Sequence, residues 1–442
     1  MLDIHRILCK ASFLVNNPRA GLLSENYFYE LKKSQWIDSK SIEQLQQEKI
    51  RRLLNHARSK IPFYSDYEPW QDEEEGSMRS RLAKYPILIK DAIRKYPDAT
   101  RLTSGLPNLI IRAKTGGTTG EPIEVWHDRR HLAMIDAACW RGKEWIGISP
   151  MMRGVNVQSF GRGSWYGRIR MRLANKWLID VFCQSDETKQ ETARQLLRIK
   201  PKYIEGYVSD TLALGRACYQ AGVKINCVLT CGEMLYEHQR RELARMYEAK
   251  VSDYYGCNEV GSIAFECEMG RKHITDEHVI VEVVDDVGLP VFDQQGRILV
   301  TDLDNYLTPF IRYDVGDLGV LTREPCPCGR KLTVLKSLDG RVQDALVNAS
   351  GDRLSTLFFA ARFRDLKAIH RIQIIQKTIS QVDLLYEGTA AGMEEELCSI
   401  VGEIRSRLGA QMEVIPRQVE RLVCSSRGKC RLIVSLDEKK PS

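Results

Sequence analysis

Apolar positions recur at helical spacing through the first part of the chain, from about Leu2 to Arg94. In SKSIEQLQQEKIRRLLNHARSKIPFY, Ser41 is the candidate cap and apolar residues follow at helical intervals. Ile61-Pro62 closes that helix, because a residue before proline is pushed out of the α region. From about Asn108 the period changes, and short β-rich runs alternate with helical ones. LIIRAKT precedes a glycine-rich stretch and VNVQSF a basic one; KYIEGY leads into DTLALGRACYQAG, and INCVLTCGE into EHQRRELARMYEA. Such alternation predicts an α/β architecture with largely parallel sheets. From about Val279 the pattern turns to strands: VIVEVVDD, VGLPVFDQQG and RILVTDLD read as antiparallel strands separated by turns. A boundary falls near Leu338-Asp339-Gly340-Arg341. Beyond it, HRIQIIQKTISQVDLLYEG reads as two strands and MEEELCSIVGEIRSRLG as an amphipathic helix, with RQVERLV leading to the tail. The prediction is a large domain over 1–340, with a mainly helical lead-in over 1–95, and a small α/β domain over 341–442.

Composition narrows the class. The 442 residues suffice for two or three domains, and 43% hydrophobic with 28% charged is ordinary for a globular chain that needs no staples. The 65 basic residues nearly balance the 58 acidic ones, leaving +7. Nucleic-acid binding asks for a steeper imbalance or a recognisable motif, so that class is set aside. The opening MLDIHRILCKASFLVNN is broken by Asp3, His5, Arg6 and Lys10 and lacks the apolar core of a signal peptide. No window approaches the ~20 apolar residues of a membrane span. These features place the chain in the cytoplasm, where most of its thirteen cysteines are expected to be small buried hydrophobes.

Two constellations carry candidate chemistry. Thr115-Gly116-Gly117-Thr118-Thr119-Gly120 follows the apolar run Leu109-Ile110-Ile111. Glycines let the backbone turn tightly, so successive N–H groups and threonine hydroxyls can cradle a phosphate. Taken alone, the loop reads equally as a surface turn. The second constellation is Cys326-Pro327-Cys328, two thiols in a tight turn, with Cys267 and His273 upstream. Three sulfurs and an imidazole make a set suited to closed, tetrahedral structural Zn2+, with His278 as a spare ligand. The alternative is four unlinked residues.

The glycine loop resembles the phosphate loop of the adenylate-forming superfamily, which holds acyl-CoA ligases, peptide-synthetase adenylation domains and luciferases. Three further segments resemble that family's motifs in its order: Tyr255-Gly256-Cys257-Asn258-Glu259, the run from Thr301 through Arg312-Tyr313-Asp314-Val315-Gly316-Asp317, and Ser426-Arg427-Gly428-Lys429. The segments EGYVS, DNYLTPFIRYDVGD, CPCGR and SRGKCR, together with the length, resemble the phenylacetate-CoA ligase branch and, within it, CapK-type proteins of polysaccharide gene clusters. The resemblance spans nearly all of the chain from about residue 40.

That resemblance implies an adenylate-forming fold, with α/β subdomains and a β-rich subdomain in the large domain and a mobile small domain. It implies that ATP and a small carboxylic acid form an acyl-adenylate, and that the acyl group then passes to a thiol, CoA first. Thr115 to Gly120 would hold the β- and γ-phosphates, and Glu259 would hold Mg2+. Tyr255 would stack on adenine, Gly256 would let the base approach, and Gly232 and Glu233 would line the same pocket. Asp317 and Arg341 would reach the ribose. Lys429 would contact the carboxylate and bridging oxygens, with Gly428 permitting its approach. Tyr207 and Ser209 would border the acid pocket. Two positions depart from the family pattern: Glu121 stands where a lysine is usual, and Gln343 stands at the hinge, where Asp or Lys is usual. Other acceptors stay open (a carrier protein, an amine or a sugar), as does a nucleotide-binding scaffold without turnover. The basic, aromatic run from Arg162 to Arg172 would meet CoA phosphates, or a membrane or carrier-linked partner by peripheral association. It reads equally as a solvated helix face.

Overall fold

The computed structural model describes residues 10–15, 17–70, 77–107, 109–114, 123–158, 165–181, 186–341, 345–348, 353–355, 368–388, 393–420, 422 and 433–434. The helical lead-in is built around α1 (Gly21–Ser34) and α2 (Ser39–Lys60). The cap of α2 is Asp38, whose carboxylate accepts from the Ser41 N–H at 3.0 Å, so the cap lies three residues before the expected one. An aspartate is as good a cap as serine, and the helix begins where the first carboxylate can reach back. Ile61 ends α2 as its Pro62 neighbour requires. Ile42, Ile50, Leu53, Leu54 and Ala57 line its buried face.

After the lead-in comes a two-stranded hairpin, β1 (Ile111–Lys114) and β2 (Glu124–His127). The run LIIRAKT thus enters this antiparallel hairpin and not a parallel sheet. Helix α3 (Arg129–Trp145) follows. The main sheet has eleven strands. Its parallel half comprises β3 (Gly154–Gln158), β4 (Lys176–Asp180), β5 (Tyr203–Gly206), β6 (Cys227–Cys231) and β7 (Lys250–Cys257). The crossovers are α4 (Trp165–Leu173), α5 (Asp186–Ile199), α6 (Val208–Gln220) and α7 (Glu237–Tyr247), each returning the chain to the same end of the sheet.

The antiparallel half continues from β7 through β8 (Gly261–Glu266), β9 (Lys272–Ile274), β10 (Val279–Val284), β11 (Gly296–Asp302), β12 (Tyr313–Thr322) and β13 (Val334–Arg341). The expected parallel and antiparallel regions are therefore one continuous mixed sheet. Strand β7 is the changeover, parallel to β6 and antiparallel to β8. The segment VGLPVFDQQG is a turn region up to Gly296, which opens β11; it bridges Val284 through Pro290, and Val291 and Asp293 donate their N–H groups to the Val283 and Leu321 carbonyls. Pro290 and Gly288, the latter at φ +87°, set it apart from a ladder.

All six residues of β10 are buried, Glu282 among them. Its charge is met by Arg312, whose Nε donates to both carboxylate oxygens at 3.2 and 3.1 Å. The rest of that guanidinium donates to the carbonyls of Ala83, Tyr85 and Gly288. Arg312 thereby ties the lead-in to the sheet.

The small unit pairs β14 (Ala345–Val347) with β15 (Arg353–Ser355) and holds a four-stranded sheet. That sheet joins β16 (Ile369–Thr378), β17 (Gln381–Gly388), β18 (Glu413–Gln418) and β19 (Ile433–Val434), covered by α8 (Met393–Leu408). Both expected strands and the amphipathic helix are present, and Ile400, Ile404 and Leu408 are buried against Ile374, Val382 and Leu384.

Candidate active site

In a parallel sheet, the loops that follow strand carboxyl ends open on one edge, and ligands gather where strand direction changes. Here β5 is followed by Tyr207 and Ser209, β6 by Gly232 and Glu233, and β7 runs through Tyr255 and Gly256 to the turn holding Glu259. These strands are neighbours, and β7 is the changeover. The topology collects three sequence-distant segments on one edge.

Side-chain contacts join them. Ser209 donates to Glu233 twice, through its N–H to Oε2 at 2.7 Å and its hydroxyl to Oε1 at 2.9 Å. Glu233 thus places a carboxylate at the start of α6, where the helix dipole favours it. Gly232 has φ +70°, a conformation a side chain would strain. Tyr255 is buried and donates its hydroxyl to Asp317 Oδ2 at 2.7 Å. The β12–β13 register sets Asp317 opposite Arg341, whose side chain lies outside the described residues. A Cβ on Gly256 would lie 2.4 Å from the Gly261 carbonyl oxygen, so the β7–β8 hairpin itself demands glycine there.

Glu259 is 6% exposed and receives the Tyr313 hydroxyl at 3.1 Å and Lys90 Nζ at 3.1 Å. Burial, then the neighbouring Glu259 charge, pushes the Tyr313 phenol well above its ordinary range. Tyr313 therefore stays a donor. Lys90 reaches this point because Leu88 pairs with Arg312 and Asp314 through backbone bonds at 3.0 and 2.9 Å. Nothing in the sequence marked Lys90, which lies 169 residues from its partner. Tyr313 lay inside the recognised RYDVGD run without an assigned role. Thr115 to Glu121, Gln343, Gly428 and Lys429 lie outside the described residues.

The four cysteine and histidine candidates do meet. Ligand atoms of Cys267, His273, Cys326 and Cys328 lie within 4.8 Å of one another. Cys267 Sγ is 3.7 Å from Cys326 Sγ, and Cys328 Sγ is 3.2 Å from His273 Nε2. His273 Nδ1 lies 3.3 Å from the Leu332 carbonyl, which fixes the tautomer and turns Nε2 inward, the arrangement metal-bound histidines use. Burial pushes Cys267 up to about 12 and His273 down to about 4. At Cys328 burial acts upward too, but hydrogen bonds from Arg330 prevail and lower it. The donor set and its convergence fit a tetrahedral Zn2+ site.

His278, the expected spare ligand, belongs elsewhere. It sits in a second buried cluster with His131 and Asp302, a group the sequence did not reveal. His131 Nε2 is 2.8 Å from Asp302 Oδ2, and His278 Nδ1 is 2.9 Å from Asp304 Oδ2. His278 Nε2 contacts the Val260 carbonyl at 3.1 Å, beside Glu259. His127 Nδ1 meets His131 Nδ1 at 2.8 Å, and Lys49 donates to Asp304 at 2.8 Å. This network joins α2, the hairpin, α3, the Glu259 turn and the strand end at Asp302.

The chain superposes on 2-hydroxyisobutyryl-CoA ligase in its postadenylation state with a TM-score of 0.73, at 18% identity and covering 91% of each chain. Against the same ligase in its thioesterification state the TM-score is 0.60 at 19% identity, over 90% of this chain and 91% of that one. The architecture is the two-domain adenylate-forming one: a large domain built on a β-rich core sheet, and a small C-terminal domain. In sequence, the chain is 24% identical to phenylacetate-coenzyme A ligase of Thermus thermophilus over 397 residues, 85% of this chain and 89% of that protein. No family model matches the chain. Among the described residues, no helix is long and apolar enough to cross a membrane.

Proposed function

We propose that this protein is an AMP-forming acid–thiol ligase of the phenylacetate-CoA ligase-like branch, which adenylates a small carboxylic acid with ATP and passes the acyl group to CoA. The observation that carries this reading is the Tyr255–Asp317 contact at 2.7 Å, beside Glu259, on one edge of a sheet of this fold. A tyrosine ring, a carboxylate and a buried glutamate from distant segments meet where a nucleoside and its metal-bound phosphates would need them. In the sequence, CPCGR and SRGKCR support the CapK-type branch and a role in cell-surface polysaccharide assembly, in the cytoplasm. The names of the relatives support a small acid as substrate and CoA as acceptor.

In this reading Asp317 and Arg341 take the ribose hydroxyls and Tyr255 the adenine, with Gly232 and Glu233 lining that pocket. Thr115 to Gly120 hold the phosphates. Glu259 holds Mg2+, which when bound neutralises phosphate charge; Lys90 balances the carboxylate, and the Tyr313 hydroxyl orients it. Tyr207 borders the acid, and Ser209, held at both its polar atoms by Glu233, shapes the wall. Lys429 moves in with the small domain, taken as 341–442 with its hinge at Gln343, and stabilises charge as the carboxylate attacks the α-phosphate. Cys267, His273, Cys326 and Cys328 would hold a structural Zn2+, tying the β8–β9 turn to the 326–332 loop.

The test is acid-dependent pyrophosphate release from Mg-ATP across aryl, fatty, hydroxy and amino acids, with and without CoA. Lys429→Ala should lower release by roughly 100-fold or more with ATP binding retained. Full activity in that variant removes Lys429 from the reaction. Silence of the wild type across the panel, in protein that binds ATP, favours the scaffold reading.

A further inference from the structure

Helix α4 has an outer face unlike any ordinary solvated one. Trp165, Ile169 and Leu173 are spaced four residues apart, so they share a stripe about 12 Å long. They are 68%, 49% and 72% exposed. At 100° per residue, Arg168 and Arg172 fall along one flank of that stripe, and both are exposed. At the C-terminal end, Asn175 donates to the Met151 carbonyl at 3.1 Å, which brings in a fourth exposed apolar side chain, Met151 at 40%. Arg172 also stacks on Trp177, its guanidinium 4.7 Å from the ring centroid, which holds this flank against the sheet.

The charge pattern names the partner. Between Glu144 and Asp180 the chain carries no acidic residue, while Arg153, Arg162, Arg168, Arg170, Arg172 and Lys176 fall in that interval. In a chain with 65 basic and 58 acidic residues, such an interval is a local excess, not a general one. A protein-binding rim usually mixes charge signs, whereas a tryptophan and two aliphatic side chains edged only by arginine match an anionic bilayer surface. The helix packs against the sheet's outermost strand, β4, and β3 separates that strand from the candidate active-site strands β5 to β7.

We infer that the α4 face docks this protein on anionic lipid surfaces, with Trp165, Ile169 and Leu173 entering the headgroup region and Arg168 and Arg172 facing lipid phosphates. With only three inserted side chains the attachment is reversible and salt-sensitive.

The experiment is co-sedimentation of the full chain with vesicles of equal parts phosphatidylglycerol and phosphatidylcholine, and with phosphatidylcholine alone. Binding is expected to the first and not the second, and to weaken as salt rises. Arg168→Ala should reduce partitioning about fivefold. The double variant Ile169→Glu, Leu173→Glu should abolish it while melting like the wild type, since both positions face solvent. Trp165→Phe should remove the vesicle-induced blue shift in tryptophan emission. The inference is overturned if wild type ignores anionic vesicles, binds both vesicle types equally, or binds unchanged in the double variant. A wild-type dimer that the double variant dissolves would make a second copy the occupant. Equal retention on soluble polyglutamate would make the partner an acidic polymer.

Discussion

Among the described residues, the large domain holds two buried clusters of convergent ligand atoms that differ in composition: three thiols with one imidazole, and two imidazoles with one carboxylate. The Cys267–His273–Cys326–Cys328 cluster is held away from ionisation at two members, with burial raising Cys267 and lowering His273. In the His131–His278–Asp302 network the charged forms of Asp302 and His278 are favoured. Burial works against Asp302, yet His131 and His278 bring it down to about 2, and Lys49 sits on Asp304. A divalent cation would take the place of protons in the first set, whereas in the second Asp302 and Asp304 already face the imidazoles. Convergent ligands alone therefore do not specify a metal, and the charges around them decide.

The largest effect should come from breaking the first cluster. Under the proposed zinc site, Cys326→Ser should lower the zinc content of the protein and cost roughly 5 kcal/mol or more. Metal analysis and a thermal melt read this, and unchanged zinc with unchanged melting would return the four residues to ordinary packing. In the network, Asp302→Ala removes the carboxylate facing His131 and leaves His278 with Asp304 alone, and should cost about 3–5 kcal/mol without altering metal content. Loss of a metal ion in that variant would erase the contrast between the clusters.

Acid should separate members of the network itself. Burial, with help from His131 and His278, holds His127 at about 4 against an ordinary 6.5. The unfolded chain takes up a proton there below 6.5 that the folded chain refuses until about 4, so stability falls across that window, by roughly 2–3 kcal/mol. His278 moves oppositely: burial opposes it, but Asp302 and Asp304 prevail and raise it. Its contribution is full below 6.5 and fades as pH rises through the raised value. Urea unfolding midpoints over this range should show the acid slope flattened in His127→Gln; an unaltered slope would assign it to other groups.

Much of the candidate site was legible because its chemistry is local. Cys326-Pro327-Cys328 is a spacing, and Tyr255 to Glu259 is a motif. What the pattern could not carry was direction and distance. Strand alternation does not say whether β8 runs with or against β7, so the single mixed sheet emerged only from the pairing. The short apolar run Val287 to Val291 scored as a strand because periodicity is weak over so few residues, although Gly288 and Pro290 spoke for a turn. Lys90 reaches Glu259 only through the long-range pairing of Leu88, and the network draws on residues from Lys49 to Asp304. The lead-in, which the sequence left without a role beyond packing, proves to hold the loops behind the candidate site.

That hold has a consequence during synthesis. Gln46 donates to the Asp276 carbonyl across 230 residues, Lys49 to the Glu277 carbonyl across 228, and Arg141 pairs with Glu277 across 136. At ordinary translation speeds, roughly 10–50 s pass between the emergence of α2 and that of its partners. Throughout that interval Gln46 and Lys49 lack the carbonyls they bond, and Ile42 lacks Phe265 and Cys326, on which it packs. Helix α2 thus waits for partners made much later, and slowed translation or chaperone shortage would act on the yield of folded chain through it.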